Sequence, residues 1–375
     1  MRVKTAISKL IPTALVLTLI MSTAASAHEE RTDRGYFTLF DELGKELVFT
    51  GHLVSVGDEF IAEDNRHYRV ISIDGDFCHT EYLGVVDLEA ATEQPSLWSR
   101  LTSWIPRLSS VQTQASNQIA IYHTHSSESY IPTDGSEATP GRGGIYRVGS
   151  ALARALEQQG FSVEQDMTSH EPHDARAYER SRRTASRLLQ KRPLAIFDIH
   201  RDSAPPEAYE KQLNGENLTQ VMLVVGRQNP QFNSNLAFAK SIKAAADKQV
   251  PGLIRGIFMA QGKYNQDMHP RAMLFEIGAQ TNDREAAERG AAKLASVLPA
   301  VLGAAGAGPQ NRGSYSAIGW ILIALAVGAV LYLVLATGGL KEAKERLRTL
   351  TTKEFANAIG WFARKRQHGD DRNKQ

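Results

Sequence analysis

Hydrophobic and polar positions change rhythm along the chain. From Tyr36 to Val86, short strand-like runs (Leu47–Thr50, Phe60–Ala62, Tyr68–Ile73) are separated by turn residues at Gly51, Gly57-Asp58, Asp64-Asn65 and Asp74-Gly75. This pattern predicts a small β-rich module over residues 28–87. Its histidines, His52, His67 and His79, are scattered singly, as surface or hydrogen-bonded histidines usually are. Residues 88–116, with Pro95, Pro106 and many Ser, Thr and Gln, read as a linker that carries Trp98, Leu101, Trp104 and Ile105.

From Ile119 strands alternate with helices. Ile119–Tyr122, Phe161–Val163, Leu194–Ile199, Val221–Val225 and Ala272–Ile277 are apolar runs of strand length. Ile145, Val148, Gly149, Leu152, Ala155 and Leu156 follow helical spacing and stop at Gly160, a natural C-terminal cap. Further helices are predicted over Ala175–Gln190, Phe232–Lys248 and Asp283–Leu302. The alternation predicts an α/β domain, a largely parallel sheet with flanking helices, over residues 117–304. A Gly/Ala/Pro-rich linker follows over residues 305–316.

Two longer apolar runs set the expected compartment. Arg2, Lys4 and Lys9 precede the run Leu10–Met21 and then Ala25-Ser26-Ala27, which reads as a signal peptide over residues 1–27. Residues 317–337 are apolar and free of charge, long enough for a single transmembrane helix. The tail 338–375 carries Lys341, Lys344, Arg346, Arg348, Lys353, Arg364, Lys365 and Arg366, so the positive-inside rule puts the tail in the cytoplasm and the rest outside the cell membrane.

Composition adds little to this picture. A formal net charge of +2 over 375 residues gives no polyelectrolyte pull, which argues against a nucleic-acid partner. The single cysteine, Cys78, cannot form an internal disulfide and leaves the compartment open.

The candidate chemistry sits where strands end, as ligand sites do in α/β sheets. His123-Thr124-His125-Ser126-Ser127-Glu128 follows the first strand of the α/β domain. His200-Arg201-Asp202-Ser203 follows the Leu194–Ile199 strand, and Glu276 precedes Ile277-Gly278-Ala279-Gln280-Thr281-Asn282. Two histidines and a carboxylate suit Zn²⁺, so His125, Glu128 and His200 are the expected ligands, with His123 competing for the metal. Glu276 is the expected general base, and Arg201 or Asn282 the group that binds substrate or the oxyanion. His170 and His173, in a loop with Glu171 and Asp174, are candidates to line the cleft. Ser126 and Ser127 lack the G-x-S-x-G elbow of a hydrolytic serine.

The strings Tyr122-His-Thr-His-Ser-Ser-Glu-Ser-Tyr130, Phe197-Asp-Ile-His-Arg-Asp-Ser203, Tyr264-Asn-Gln-Asp267 and Phe275-Glu-Ile-Gly278 with Asn282 resemble the stage II sporulation protein P family of cell-wall hydrolases. The resemblance spans residues 117–300, and the region from Tyr36 to Leu83 looks like that family's N-terminal part. It implies a zinc amidase/carboxypeptidase-like fold and cleavage of the N-acetylmuramoyl-L-alanine amide of peptidoglycan. Septal wall remodelling during engulfment, alongside other membrane proteins, is implied with it. Endopeptidase action on stem-peptide cross-links, or an inactive wall-binding scaffold, are the alternatives. Under the resemblance His125 and His200 match the two metal histidines and Glu276 the late catalytic glutamate. Asn282, Asp202, Tyr264 and Asn265 are then expected to bind substrate. The related amidases carry a glutamate ligand at the start of the first helix, where this chain reads Tyr146-Arg147-Val148-Gly149, so Glu128, a water or His123 must fill that place.

Overall fold

The structure, a computed structural model, describes residues 31, 33, 35–88, 117–174 and 176–303. The chain divides into two units, Met1–Gly306 and Ala307–Gln375. The expected signal peptide, both linkers apart from Leu88, the transmembrane helix and the basic tail lie outside the described residues. Among those described, no helix is long and apolar enough to cross a membrane.

Eleven strands form one sheet in the order β2-β1-β5-β4-β3-β12-β11-β13-β8-β6-β7. The first five are β1 (Phe37–Phe40), β2 (Glu46–Thr50), β3 (Glu59–Ala62), β4 (Arg66–Asp74) and β5 (Phe77–Val85). The rest are β6 (Gln118–Tyr122), β7 (Ser162–Gln165), β8 (Ala195–Asp202), β11 (Val221–Gly226), β12 (Ile254–Ala260) and β13 (Ala272–Ala279). Strands β9 (Glu210–Leu213) and β10 (Glu216–Thr219) pair with each other as a separate hairpin.

Within residues 117–303 the expected parallel sheet is present in β7–β6, β6–β8, β8–β13 and β11–β12, while β13–β11 is antiparallel. The eleven strands together are mixed, because β12–β3, β3–β4, β4–β5 and β1–β2 also run antiparallel. The helices are α1 (Ile131–Asp134), α2 (Ile145–Gln158), α3 (Ala177–Leu189), α4 (Phe232–Gln249) and α5 (Arg284–Leu302). The longer four lie within one or two residues of the predicted spans.

Period-two alternation along the strands separates two cores. Leu223 and Val225 join Phe275, Ile277 and the apolar faces of α2, α4 and α5, including Val148, Leu152, Ile242 and Leu294. Their neighbours Met222 and Val224 share a second core with Leu39, Val48, Phe60, Phe258 and Tyr264. Helix α3 covers β6 and β8 through Ala185 and Leu188, which pack with Tyr122 and Ile196.

The expected β-rich region is β-rich but not a separate sheet. Strand β3 pairs with β12 through Gly256↔Ala62, Ile257↔Ile61 and Phe258↔Phe60, which carries the sheet across the boundary drawn near residue 87. Strand β12 leaves little trace in the sequence pattern because Arg255 and Gly256 interrupt its apolar run. Gly256 is what admits the partner: a Cβ there would run into the Phe60 ring and come within 2.6 Å of the Ile61 carbonyl oxygen. Full burial of Phe60, 1% exposed, in a core shared by both regions stabilises the fold by about 1.5–3 kcal/mol.

Candidate metal and acid–base centre

Strands β6, β8 and β13 run in one direction, so the residues at their carboxyl ends meet at one edge of the sheet. Glu276 on β13 is the register partner of His200 on β8. The turn after β6 is pinned to β8 by Thr124, whose N–H and hydroxyl both donate to the Asp198 carboxylate. That pin presents His125 to the same edge.

Glu128 is fully buried, with Oε1 3.3 Å from His125 Nδ1 and 3.6 Å from His200 Nδ1. Its Oε2 accepts the backbone N–H of Arg201 at 3.0 Å, while Oε1 makes no hydrogen bond among the described residues. His173 stacks on His125 with ring centroids 3.8 Å apart, and His125, Glu128 and His173 each offer a ligand atom within 4.8 Å of the others. His200 turns its other nitrogen away: Nε2 lies 3.0 Å from Asp198 Oδ1. A carboxylate on the outer nitrogen of a histidine is the usual support of a metal ligand, because it fixes the tautomer and the ring plane.

The electrostatics agree with a cation site. Burial disfavours charge on both Glu128 and His200, yet attraction wins for each. Despite burial, His200 and His125 hold the Glu128 carboxyl well below its ordinary value. Asp198 and Glu128 hold His200 well above the ordinary imidazole value, again against burial. The two buried carboxylates, Asp198 and Glu128, favour positive charge on the imidazole between them, and this donor set of histidines and a carboxylate fits zinc.

Glu276 stands beside this cluster, 1% exposed. Burial pushes its carboxyl up to about 7, opposed by the hydrogen bond and charge of His52. A carboxyl poised near neutrality in a buried site suits proton transfer. A cavity of about 230 Å³ opens here, bordered by His52, His173, Arg201, Asp202, Glu276 and Gln280.

The structure sorts the remaining sequence candidates. His123 is not available to a metal: its Nδ1 meets the Ile199 carbonyl at 3.1 Å and its Nε2 meets Gln165 at 3.0 Å. Burial lowers its imidazole to about 4, so the ring is neutral and both nitrogens are engaged. His170 likewise bonds the His123 carbonyl and Thr184, away from the cavity. Arg201 reaches the cavity with its guanidinium on the carbonyls of Ser129 and Glu137.

The four residues expected to bind substrate are occupied in building the site. Asp202 accepts Gly51 N–H and Ser203 N–H on Oδ1 and the Tyr209 hydroxyl on Oδ2, although one edge of it borders the cavity. Asn282 accepts Ala279 N–H and donates to the Pro206 carbonyl, closing the turn after β13. Asn265 donates to the Tyr178 carbonyl and the Ser181 hydroxyl. Tyr264 is 1% exposed and packs edge-on against both Tyr178 and His52.

Two site residues carry no sequence signal for their place in the site. Tyr178 stacks parallel to the His200 ring and edge-on to His125; its only sequence signal is a place near the start of α3. His52 donates from Nε2 to Glu276 Oε1 at 2.9 Å across 224 positions of sequence, a separation no local pattern reveals.

A family profile described as stage II sporulation protein P (SpoIIP) matches residues 84–299. The stage II sporulation protein P of Bacillus subtilis (strain 168) is 32% identical over 199 residues, covering 48% of this chain and 50% of the relative. The chain thus spans about half the length of the curated relative it matches. Among solved structures, the N-acetylmuramyl-L-alanine amidase Ami1 from Mycobacterium smegmatis is similar at 15% identity and a TM-score of 0.34, over 50% of this chain and 98% of that one. The CwlD amidase from Clostridioides difficile, solved in complex with the GerS lipoprotein, is similar at 14% identity and a TM-score of 0.33, over 49% and 95%. Likenesses this shallow carry no functional weight. The family match, extending over more than half of the 375 residues, does: this chain belongs to the stage II sporulation protein P family.

Proposed function

We propose that the chain is a zinc-dependent peptidoglycan hydrolase of sporulation that cleaves the amide between N-acetylmuramic acid and L-alanine. The observation that carries this reading is the meeting of His125, Glu128 and His200 at one sheet edge with Glu276 beside them. His125, His200 and Glu128 would hold the ion, both histidines through nitrogens near Glu128 Oε1, and His173, whose ligand atom lies within 4.8 Å of those of His125 and Glu128, is a further candidate donor. Zinc bound there supplies a Lewis acid that polarises the scissile carbonyl and eases deprotonation of water.

The chain's own residues supply the rest. Glu276 accepts the proton of the attacking water and delivers it to the departing amine nitrogen. Asp198 keeps His200 in the tautomer whose Nδ1 faces the cluster. Arg201, held by two carbonyls, offers positive charge at the cavity wall for the substrate's oxygen atoms. Tyr178 closes the side of the cluster formed by His125 and His200, which limits bulk water.

Residues 317–337 would anchor the protein in the cell membrane, with the hydrolase on the outer side and the basic tail inside. Substrate is then wall adjoining that membrane, and other membrane proteins of the engulfment machinery are the natural partners.

The test is digestion of purified peptidoglycan by the full chain in detergent, with metal analysis of the same sample. Glycan strands stripped of stem peptides, and peptides starting at L-alanine, are expected from protein holding one zinc. Products cut only within the stem peptides or cross-links would make it an endopeptidase. Wall binding without any product would make it a scaffold.

A further inference from the structure

We propose that His52 is a positioning residue for this reaction, acting through Glu276: its Nε2–H fixes one carboxylate oxygen and leaves the other to receive the proton of water. The inference rests on the hydrolase reading and adds to it a residue from outside the stretch of 84–299 that the family profile matches.

The geometry makes the contact rigid from both sides. Glu276 is held in mid-sheet, paired with Met222 on β11 and with His200 on β8. Its Oε1 receives His52 Nε2 at 2.9 Å, and Oε2 makes no hydrogen bond among the described residues. With Oε1 tied, the carboxylate cannot rotate freely about its last bond, so Oε2 keeps one direction. Holding a proton acceptor in one orientation is where much of the advantage of an enzymatic base lies.

His52 is in turn held by the end of β2. Gly51 N–H donates to Asp202 Oδ1 at 2.6 Å, and the Thr50 hydroxyl donates to the same oxygen at 3.3 Å. The His52 N–H then donates back to Thr50 Oγ1 at 3.2 Å. Gly51 must be glycine for this approach, since a Cβ there would stand 2.7 Å from Ser203 Cβ. The imidazole itself is 1% exposed, edge-on to Tyr264 at 5.7 Å and tilted against Phe258 at 6.1 Å. Asp202 and Tyr264 thus acquire a purpose: they hold the segment that presents His52.

A purely structural bond between two buried polar groups would also join the N-terminal strands to the core, so stability alone does not decide the matter. The experiment compares His52→Ala, His52→Leu and His52→Gln in the full chain, digesting a soluble peptidoglycan fragment, with zinc content and thermal melting measured alongside. If His52 orients the base, His52→Ala and His52→Leu lose about 100-fold in kcat, with KM within about twofold of wild type and zinc unchanged. His52→Gln, whose amide N–H reaches towards the same carboxylate, recovers at least about tenfold of that loss. Should the space left by alanine unfold the chain, the leucine and glutamine variants carry the comparison. Turnover in His52→Leu within threefold of wild type overturns the inference, as does a rise in KM alone, or a His52→Gln variant as slow as His52→Leu. An active wild type with unimpaired His52 variants sinks this inference only; a wild type without any hydrolytic product sinks the hydrolase reading as well.

Discussion

Asp198 and His200 stand two residues apart on β8, so both side chains leave the same face of the sheet, and Asp198 Oδ1 lies 3.0 Å from His200 Nε2. The same carboxylate takes two hydrogen bonds from Thr124, at the start of the turn that carries His125. One buried carboxylate therefore sets the tautomer of one candidate ligand and the place of another.

Removing that carboxylate should loosen the metal without removing any ligand. Asp198→Ala is expected to weaken zinc affinity by about 10–100-fold, the usual effect of losing the partner of a metal histidine. Competition with a chromophoric chelator measures it; affinity equal to wild type would mean that His200 does not need its partner.

His200 on β8 and His123 after β6 should separate cleanly. His200→Ala is expected to lose both zinc and wall hydrolysis, because it removes one ligand of a small set. His123→Gln should keep one zinc per chain, since both nitrogens of His123 already bond within the fold. Metal analysis of the two purified variants checks the contrast, and loss of zinc in His123→Gln would return His123 to the ligand set.

Glu276→Gln should keep zinc and lower kcat by about 10²–10⁴-fold, the range for loss of a general acid–base group. In the wild type, the base must be ionised to act. With its carboxyl pushed up to about 7, kcat/KM should rise with pH through neutrality and level off above it. The sign for stability is the reverse. A raised acid leaves the folded state uncharged at low pH, and its cost grows as pH climbs from the ordinary value near 4.5 to about 7. Glu276→Gln should therefore melt above wild type at pH 8, with the difference closing towards pH 4.5; a pH-independent difference would place the shift elsewhere.

The sheet junction gives a prediction far from the chemistry. Gly256→Val should destabilise the chain by about 1–3 kcal/mol, because the new side chain meets the Phe60 ring and the Ile61 carbonyl. Since the strands that follow β2 are held at this junction, hydrolysis should fall with it while zinc, whose candidate ligands all follow residue 117, is retained. Urea unfolding and the digestion assay together test this; full activity in a destabilised variant would show that His52 keeps its place without the β3–β12 pairing.

Local pattern in the sequence sufficed for the alternation of elements from Ile119 onwards, because period-two and period-3.6 burial leave a direct trace in which residues are apolar. It also sufficed for the three polar strand ends, since His125, Glu128, His200 and Glu276 each follow or close an apolar run at the edge where α/β sheets place their chemistry. What the strings conceal is the division of labour inside them: in His-Thr-His-Ser-Ser-Glu, identical histidines two residues apart end up as a buried packing residue and a candidate ligand. That difference rests on which atoms of Ile199, Gln165 and Asp198 lie opposite, hence on strand pairing. The pairing of β3 with β12 and the reach of His52 to Glu276 belong wholly to tertiary structure. They join residues some two hundred positions apart, and such contacts depend on shape, a glycine that admits a ring and a turn that admits a strand end, which a one-dimensional pattern of polarity does not record.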